Sequence, residues 1–294
     1  MIANDEPGVA RTGIRGGWLA KYRFPLAWVF NDRVHSSPQI DENWARPEHS
    51  LNATNDGHRR FFTRYLSEQL DGRPDLIKKS LPAYRPFGKR GLLDNGRYAA
   101  LRRDDVELVI DRVARITPTG VVTDGGQEYE ADVLVLSTGF DAQQYLPGIE
   151  VRGCDGAELP EAWDEDDAVA HLGIMVPGFL SFFLMYGHNT NVGAGGSFIS
   201  EARGRYIVDV LSLMGRTGTG ELDVRPEGLT RWGSGGDAAH SRMAWSHPGL
   251  TTYYRNFRGR VVTNSPYCVV NYWAMTREPN LAHFRSMPVR ARAA

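Results

Sequence analysis

Residues 131–140, ADVLVLSTGF, constrain the fold more than any other stretch of the chain. Four consecutive large aliphatic residues, Val133 to Leu136, sit between an acidic residue and the small residues Ser137, Thr138 and Gly139. An amphipathic strand alternates apolar and polar positions. An unbroken apolar run of this length predicts a strand covered on both faces, the pattern of parallel sheets flanked by helices. A second run, FLSFFLMYG (179–187), predicts another buried strand, followed by the glycine-rich loop HNTNVGAGGS (188–197). Beyond that loop Ile199, Ala202, Tyr206, Val210 and Leu213 recur at helical spacing. Ser197 is placed to cap this helix and Gly215 to stop it. The expected class is α/β.

The rest of the chain reads less regularly. Residues 1–50 mix Gly, Pro and aromatics; the apolar stretch GGWLAKYRFPLAWVF (16–30) is broken by Pro25 and predicts a surface-lying connection or the tail of a preceding domain. Over 55–72 Phe62, Leu66 and Leu70 form one stripe of a helix capped by Asn55 or Asp56 and closed by Gly72 and Pro74. VELVID (106–111) and RITPTGVVT (115–123), with the turn Asp124–Gly125–Gly126, predict short strands and a hairpin. GSGGDA (233–238) fits the loose pattern Gly-x-Gly-x-x-Ala, but no apolar strand precedes it, and it is expected to be a flexible loop.

A chain of 294 residues with 41% apolar and 23% charged residues supports a sizeable core. The net charge of −1 argues against nucleic acid or an anionic membrane as main partner. The longest apolar run is too short to span a bilayer, and the first residues hold no hydrophobic signal segment. Cys154 and Cys268 are isolated, which excludes a disulfide scaffold and fits a reducing, cytoplasmic setting. The histidines lack metal-ligand spacing, and no Gly-x-Ser-x-Gly elbow occurs.

Two elements carry candidate chemistry. A helix that starts after glycines 193, 195 and 196 presents unpaired amides and a partial positive charge, which attract an anion or the electron-rich edge of a heterocycle. An ordinary tight strand-to-helix turn has the same sequence. The loop FGKRG (87–91) sets Lys89 beside Arg90; neighbours on an extended segment point to opposite sides, so one can hold a phosphate while the other faces a reacting centre. Two solvated surface cations are the plainer alternative.

In order and content these segments resemble the flavin-dependent Baeyer–Villiger monooxygenases, within the flavin-containing monooxygenase group, and most of all the branch acting on aryl and large cyclic ketones. The segments that carry the resemblance are RPDLIKKSLPAYRPFGKRGLLDNGRY, RRDDVELV, ITPTGVVTDGGQEYEADVLVLSTGFDA, AHLGIMVPGFLSFFLMYGHNTNVGAGGS and WSHPGLTTYYRNFRGRVVTNSP; together they extend it over roughly residues 14–284. The resemblance implies enzymes that bind FAD and NADPH, activate O2 on the reduced flavin and convert ketones to esters or lactones. The family's Lys-Arg pair matches Lys89, expected near the extra phosphate of NADPH, and Arg90, expected over the flavin as the catalytic cation. Thr138 and Gly139 match the small-residue end of the strand between cofactor domains. Asn191, Gly195, Gly196 and Ser197 match the loop and helix start that face the flavin. Tyr253 stands where the family has a tryptophan near the nicotinamide ribose; His188 replaces a proline and Arg97 an aromatic residue.

The family's amino-terminal Gly-x-Gly-x-x-Gly, its Phe-x-Gly-x-x-x-His-x-x-x-Trp fingerprint and its second glycine motif do not occur in these 294 residues. The expected fold is therefore the carboxy-terminal part of a flavoprotein with two dinucleotide-binding domains, lacking the amino-terminal FAD Rossmann unit and the start of the NADP domain. Residues 1–130 are then a remnant of the NADP-binding domain with a helical insert and hairpin. Residues 131–215 are the last part of the FAD-binding domain, and 216–294 a tail covering the active site. Two readings follow: a monooxygenase polypeptide, incomplete or paired with a separately encoded amino-terminal half, or a non-catalytic remnant that binds an apolar ligand or protein. A complete small dehydrogenase is excluded because no nucleotide-binding strand–turn–helix opens the chain.

Overall fold

The computed structural model describes residues 2–3, 29, 32–165, 167–191, 196–247 and 249–288. Apart from Val29, the apolar stretch 16–30 lies outside the described residues, as do Gly193 and Gly195. The chain divides into two compact units, Met1–Asp5 with Arg60–Ala83 and Gly91–Asp141, and Glu6–Arg59 with Tyr84–Arg90 and Ala142–Ala294. Among the described residues no helix is long and apolar enough to cross a membrane.

In the first unit β1 (Ile2–Ala3) pairs in parallel with β2 (Leu93–Asp94). Helix α1 (Ala53–Gln69) contributes its second half to this unit, and its stripe turns Leu66 and Leu70 inward against Leu76, Tyr98 and Leu101. Leu76 belongs to α2 (Pro74–Ser80), which Pro74 opens at its first turn, and Tyr98 and Leu101 to α3 (Arg97–Leu101). A proline at a helix start loses no hydrogen bond, because the first amides have no partner in any case. The cap of α1 is Asn52, whose Oδ1 accepts the Asn55 amide at 2.8 Å. Asn55 and Asp56, expected as caps, stand in the first turn. Asn55 Oδ1 accepts the Leu51 amide, and Asp56 accepts from Ser50 Oγ and Arg46 Nη2.

Strands β3 (Val113–Thr117), β4 (Gly120–Thr123) and β5 (Glu128–Glu130) form the expected hairpin, extended to a three-stranded antiparallel sheet. Gly126, at φ 82°, takes the left-handed turn between β4 and β5 that a side chain would resist. Residues 106–111 are not a strand. Residues 133–136 correct a stronger expectation: they pair with no strand, and Val133, Val135 and Leu136 are 78%, 82% and 74% exposed, with Phe140 at 96%. A fully apolar strand is stable only with neighbours on both edges and cover on both faces, and the described residues supply neither.

The second unit is built on α5 (Gly196–Thr217). Its inner face buries Ile199, Ala202, Tyr206, Val210 and Met214 against Leu222 and Val224 of β6 (Thr219–Val224), Phe284 of β7 (Phe284–Pro288), and Val269 and Tyr272 of α7 (Val269–Met275). Met214 takes the core position expected for Leu213. The helix runs through Gly215 and stops before Gly218, which sits at φ 64°. β6 and β7 pair antiparallel, Leu222 opposite Ser286 and Val224 opposite Phe284.

Two further expectations are corrected here. Residues 179–187 form turns, with one isolated bridge from Met175 to Phe183 rather than a strand. Ser181 at φ 50° bends the segment, so Phe179 and Leu184 reach a core shared with Val176, Trp163 and Leu159; Leu159 belongs to α4 (Leu159–Ala162). Only Phe179 and Leu184 of the apolar run enter the core, while Met185 and Tyr186 are half exposed, because the segment is a folded loop. Residues 233–238 lie inside helix α6 (Pro226–His240) instead of a loop. Pro226 opens this helix, and Gly228 faces His283, whose Cβ would stand 3.0 Å from an added methyl. Tertiary packing outweighs the poor helix propensity of its glycines.

Candidate functional site

The loop that carries Lys89 and Arg90 is pinned from below. Asn55 Nδ2 donates to the Pro86 carbonyl at 3.1 Å, and Phe87, at φ 66°, meets the His58 ring edge-on at 5.1 Å. Gly88 leaves room for the Leu250 side chain, 2.8 Å from where a methyl would project. With its base fixed, the loop presents both cations to solvent. Lys89 Nζ sits 5.1 Å from the centre of the Tyr84 ring, a cation–π contact. The charge of Arg90 acts on two phenols, Tyr186 and Tyr254, in each case opposing the burial that raises the phenol above its ordinary value.

Those phenols connect Arg90 to the other candidates in the same unit. The Tyr186 ring packs over Gly196, the first residue of α5; a methyl there would lie 3.8 Å from Tyr186 Cε2. The Tyr254 ring lies 4.6 Å from that of Tyr253. Gln143 Nε2 donates to the carbonyls of Tyr253 and Arg255 at 2.5 and 2.8 Å, fixing that segment. Asn191 is bound along a ladder: its amide donates to Thr263 O, its carbonyl accepts from the Ser265 amide, and its Nδ2 donates to Asn264 Oδ1 at 2.8 Å. Ser197 is exposed within the first turn of α5, not at the cap position expected for it.

The structure thus brings Arg90, Tyr186, Tyr253, Tyr254 and the start of α5 into one neighbourhood. Thr138 and Gly139 belong to the first unit, exposed, with Gly139 at φ 94°. Gly195 lies outside the described residues. Among those described, no cluster of three or more metal-ligating side chains occurs. Cys154 donates its thiol to Gly178 O, and burial raises the Cys268 thiol, so neither is an activated nucleophile.

Sequence reasoning missed two buried polar groups beneath this region. Arg203 is fully buried with no carboxylate partner among the described residues. Its Nε donates to Tyr272 Oη at 2.7 Å and its Nη2 to Leu172 O at 3.2 Å. A buried cation with so few partners is costly. Its position on the apolar stripe of α5, between Ala202 and Tyr206, was the available signal. His188 is wedged edge-on between Tyr145 and Trp163, each at 4.8 Å. Burial, helped by the charge of Arg203, depresses it to about 3, so it is neutral.

No family model matches the chain. It is 41% identical over 273 residues to the uncharacterized monooxygenase y4iD of Sinorhizobium fredii, a match covering 92% of this chain and 41% of that protein. It is 31% identical over 217 residues to a Baeyer–Villiger monooxygenase of Streptomyces coelicolor, covering 72% of this chain and 41% of that one. Among solved structures, an oxidized steroid monooxygenase bound to NADP superposes with a TM-score of 0.70 at 25% identity, over 84% of this chain and 48% of that one. The chain spans some two fifths of the curated relatives' length and just under half of the solved structure, and it carries the corresponding fragment of that α/β fold. Over that part it belongs to the family of the Baeyer–Villiger monooxygenases.

Proposed function

We propose that this chain supplies part of an FAD- and NADPH-dependent monooxygenase of the Baeyer–Villiger type, which converts a ketone to an ester or lactone with O2. The observation that carries the reading is the placement of Arg90: a solvent-facing guanidinium on a pinned loop, acting on Tyr186 and Tyr254, with Tyr186 lying over the start of α5. Arginine stays protonated at any working pH, so its charge is fixed in advance where negative oxygen develops. Such preorganised charge is the largest single contribution in many enzymes. The amides at the start of α5 add partial positive charge on the same side, which suits the electron-rich edge of a reduced ring. These residues fit the ring end of a flavin.

Bound FAD supplies the redox chemistry and NADPH the hydride. The chain's own residues hold, orient and stabilise. Lys89 pairs with the extra phosphate of NADPH, and the Tyr253 hydroxyl bonds its ribose. Asn191, Gly195, Gly196 and Ser197 form the surface against the flavin, and Thr138 with Gly139 gives a close passage between cofactor domains. The division into 1–130, 131–215 and 216–294, and a cytoplasmic setting, belong to the same reading.

The test joins this chain to the segment of the Sinorhizobium fredii protein outside its match, with FAD, NADPH and 18O2. The expected result is a flavoprotein that places one labelled oxygen in the ester formed from cyclohexanone or phenylacetone. A flavin-loaded protein that oxygenates only sulfides or amines, or only reduces O2, overturns the proposal.

A further inference from the structure

Between α5, α6 and the turn before β7, the second unit holds a cavity of about 340 Å³ that the monooxygenase reading does not use. A pocket of this size accepts a small ligand. Tyr206 of α5, almost fully buried, forms part of its wall. Gly196 and Tyr206 are ten residues apart, about 15 Å along the helix, so the cavity is distinct from the Arg90 neighbourhood.

His171 lines the same cavity and is 2% exposed. Its backbone is locked, since it exchanges hydrogen bonds with Met175 across a turn that holds Leu172 and Gly173 at φ 54° and 66°. Its Nδ1 stands 3.1 Å from the Gly228 carbonyl; a carbonyl only accepts, so Nδ1 carries the proton. Burial pushes the ring down to about 4, so at pH 7 it is neutral and Nε2 is a bare acceptor. That atom is buried without a hydrogen-bond partner. A buried acceptor without a donor is costly, and on the wall of a cavity it marks where a ligand's donor belongs. The remaining lining is aromatic at Tyr267 and His283, with the Glu278 carboxylate exposed at the rim. Acceptors at both ends and π faces between them suit a donor-rich, cationic ring compound. Among the described residues no group of three metal-ligating side chains occurs here, so the set does not suit a metal ion.

We propose that this cavity binds a small arylalkyl amine, its ring hydroxyl donating to His171 Nε2 and its ammonium pairing with Glu278. The His283 ring meets His171 edge-on at 5.0 Å. It is half-buried on the short turn 281–283, whose other residues are exposed, and a rotamer change there opens Nε2 to the donor. The inference is independent of the monooxygenase reading.

The experiment titrates the full chain with tyramine at pH 7 by calorimetry. One site is expected, with a Kd of about 0.1 mM. Phenethylamine, which lacks the hydroxyl, and 4-methylphenol, which lacks the ammonium, should each bind at least about tenfold more weakly. Glu278→Gln should weaken tyramine about tenfold and leave 4-methylphenol unchanged, and His171→Phe should bring tyramine down to the level of phenethylamine. Val208→Asp, at an exposed position on α5, should change nothing. Circular dichroism checks that His171→Phe folds; if it does not, phenethylamine on the parent chain and the exposed Glu278→Gln decide. Binding of tyramine weaker than roughly 10 mM, phenethylamine bound as tightly as tyramine, or an unaffected Glu278→Gln each overturns the proposal.

Discussion

Acidifying the protein from pH 7 to pH 5 should lower its stability sharply, because three histidines are held neutral inside the second unit. His188 and His240 are each depressed to about 3 and His171 to about 4, in every case first by burial. The contacts explain why none accepts a proton. Both ring nitrogens of His188 are buried, and the pull of the Val169 backbone is too weak to offset that burial. His240 Nδ1 accepts from Trp245 Nε1 at 2.9 Å, and a second proton there would set two donors against each other. His171 Nδ1 meets the Gly228 carbonyl at 3.1 Å, and its Nε2 is buried without a partner. A folded pKa below the unfolded 6.5 means that the unfolded chain binds more protons, so stability falls as pH drops below 6.5. The loss continues until about pH 4 for His171 and pH 3 for the other two. Between pH 7 and 5 each histidine costs about 2 kcal/mol, and the three together ~6 kcal/mol, a large share of the ~5–15 kcal/mol of an ordinary domain. Urea denaturation followed by tryptophan fluorescence at pH 7, 6 and 5 measures this. The variant His188→Phe keeps an aromatic ring between Tyr145 and Trp163 and should lose about 2 kcal/mol less over the same interval. Equal pH dependence in variant and parent, or constant stability from pH 7 to 5, would refute the reasoning.

Further outcomes are expected from single substitutions. Gly173→Ala places a methyl against the Arg203 guanidinium and the His188 carbonyl at φ 66°, so it should destabilise by about 3 kcal/mol or more in urea melts. Lys89→Ala in the joined enzyme should raise KM for NADPH about tenfold and leave NADH unchanged; an unaltered cofactor preference removes Lys89 from the phosphate site.

How far the sequence could be read depended on where each signal finds its partner. Helices α1 and α5 were legible because their stripes, Leu66 and Leu70 in one and Ile199 to Val210 in the other, are buried by elements of this same chain. Val133–Leu136 was misread as buried because apolar pattern reports what a segment needs, not whether the described chain provides it. The run 179–187 buries only Phe179 and Leu184 in the core, since Ser181 in the left-handed region folds it into turns that periodicity does not distinguish from a strand. Helix α6 was hidden by glycine content, and its support comes from distant His283. In the site, the Lys89–Arg90 pair was visible as a motif. The link from Arg90 through Tyr186 to Gly196 was not, since it joins three segments over more than a hundred residues.

The most direct measurement of the central claim is the rate of ester formation by Arg90→Ala in the joined, flavin-loaded enzyme, with NADPH oxidation followed in parallel. Loss of the fixed charge should remove about 3 kcal/mol of stabilisation, a fall of at least 100-fold in ester formation, while NADPH continues to be oxidised. Ester formation at the parent rate would contradict the role assigned to this arginine.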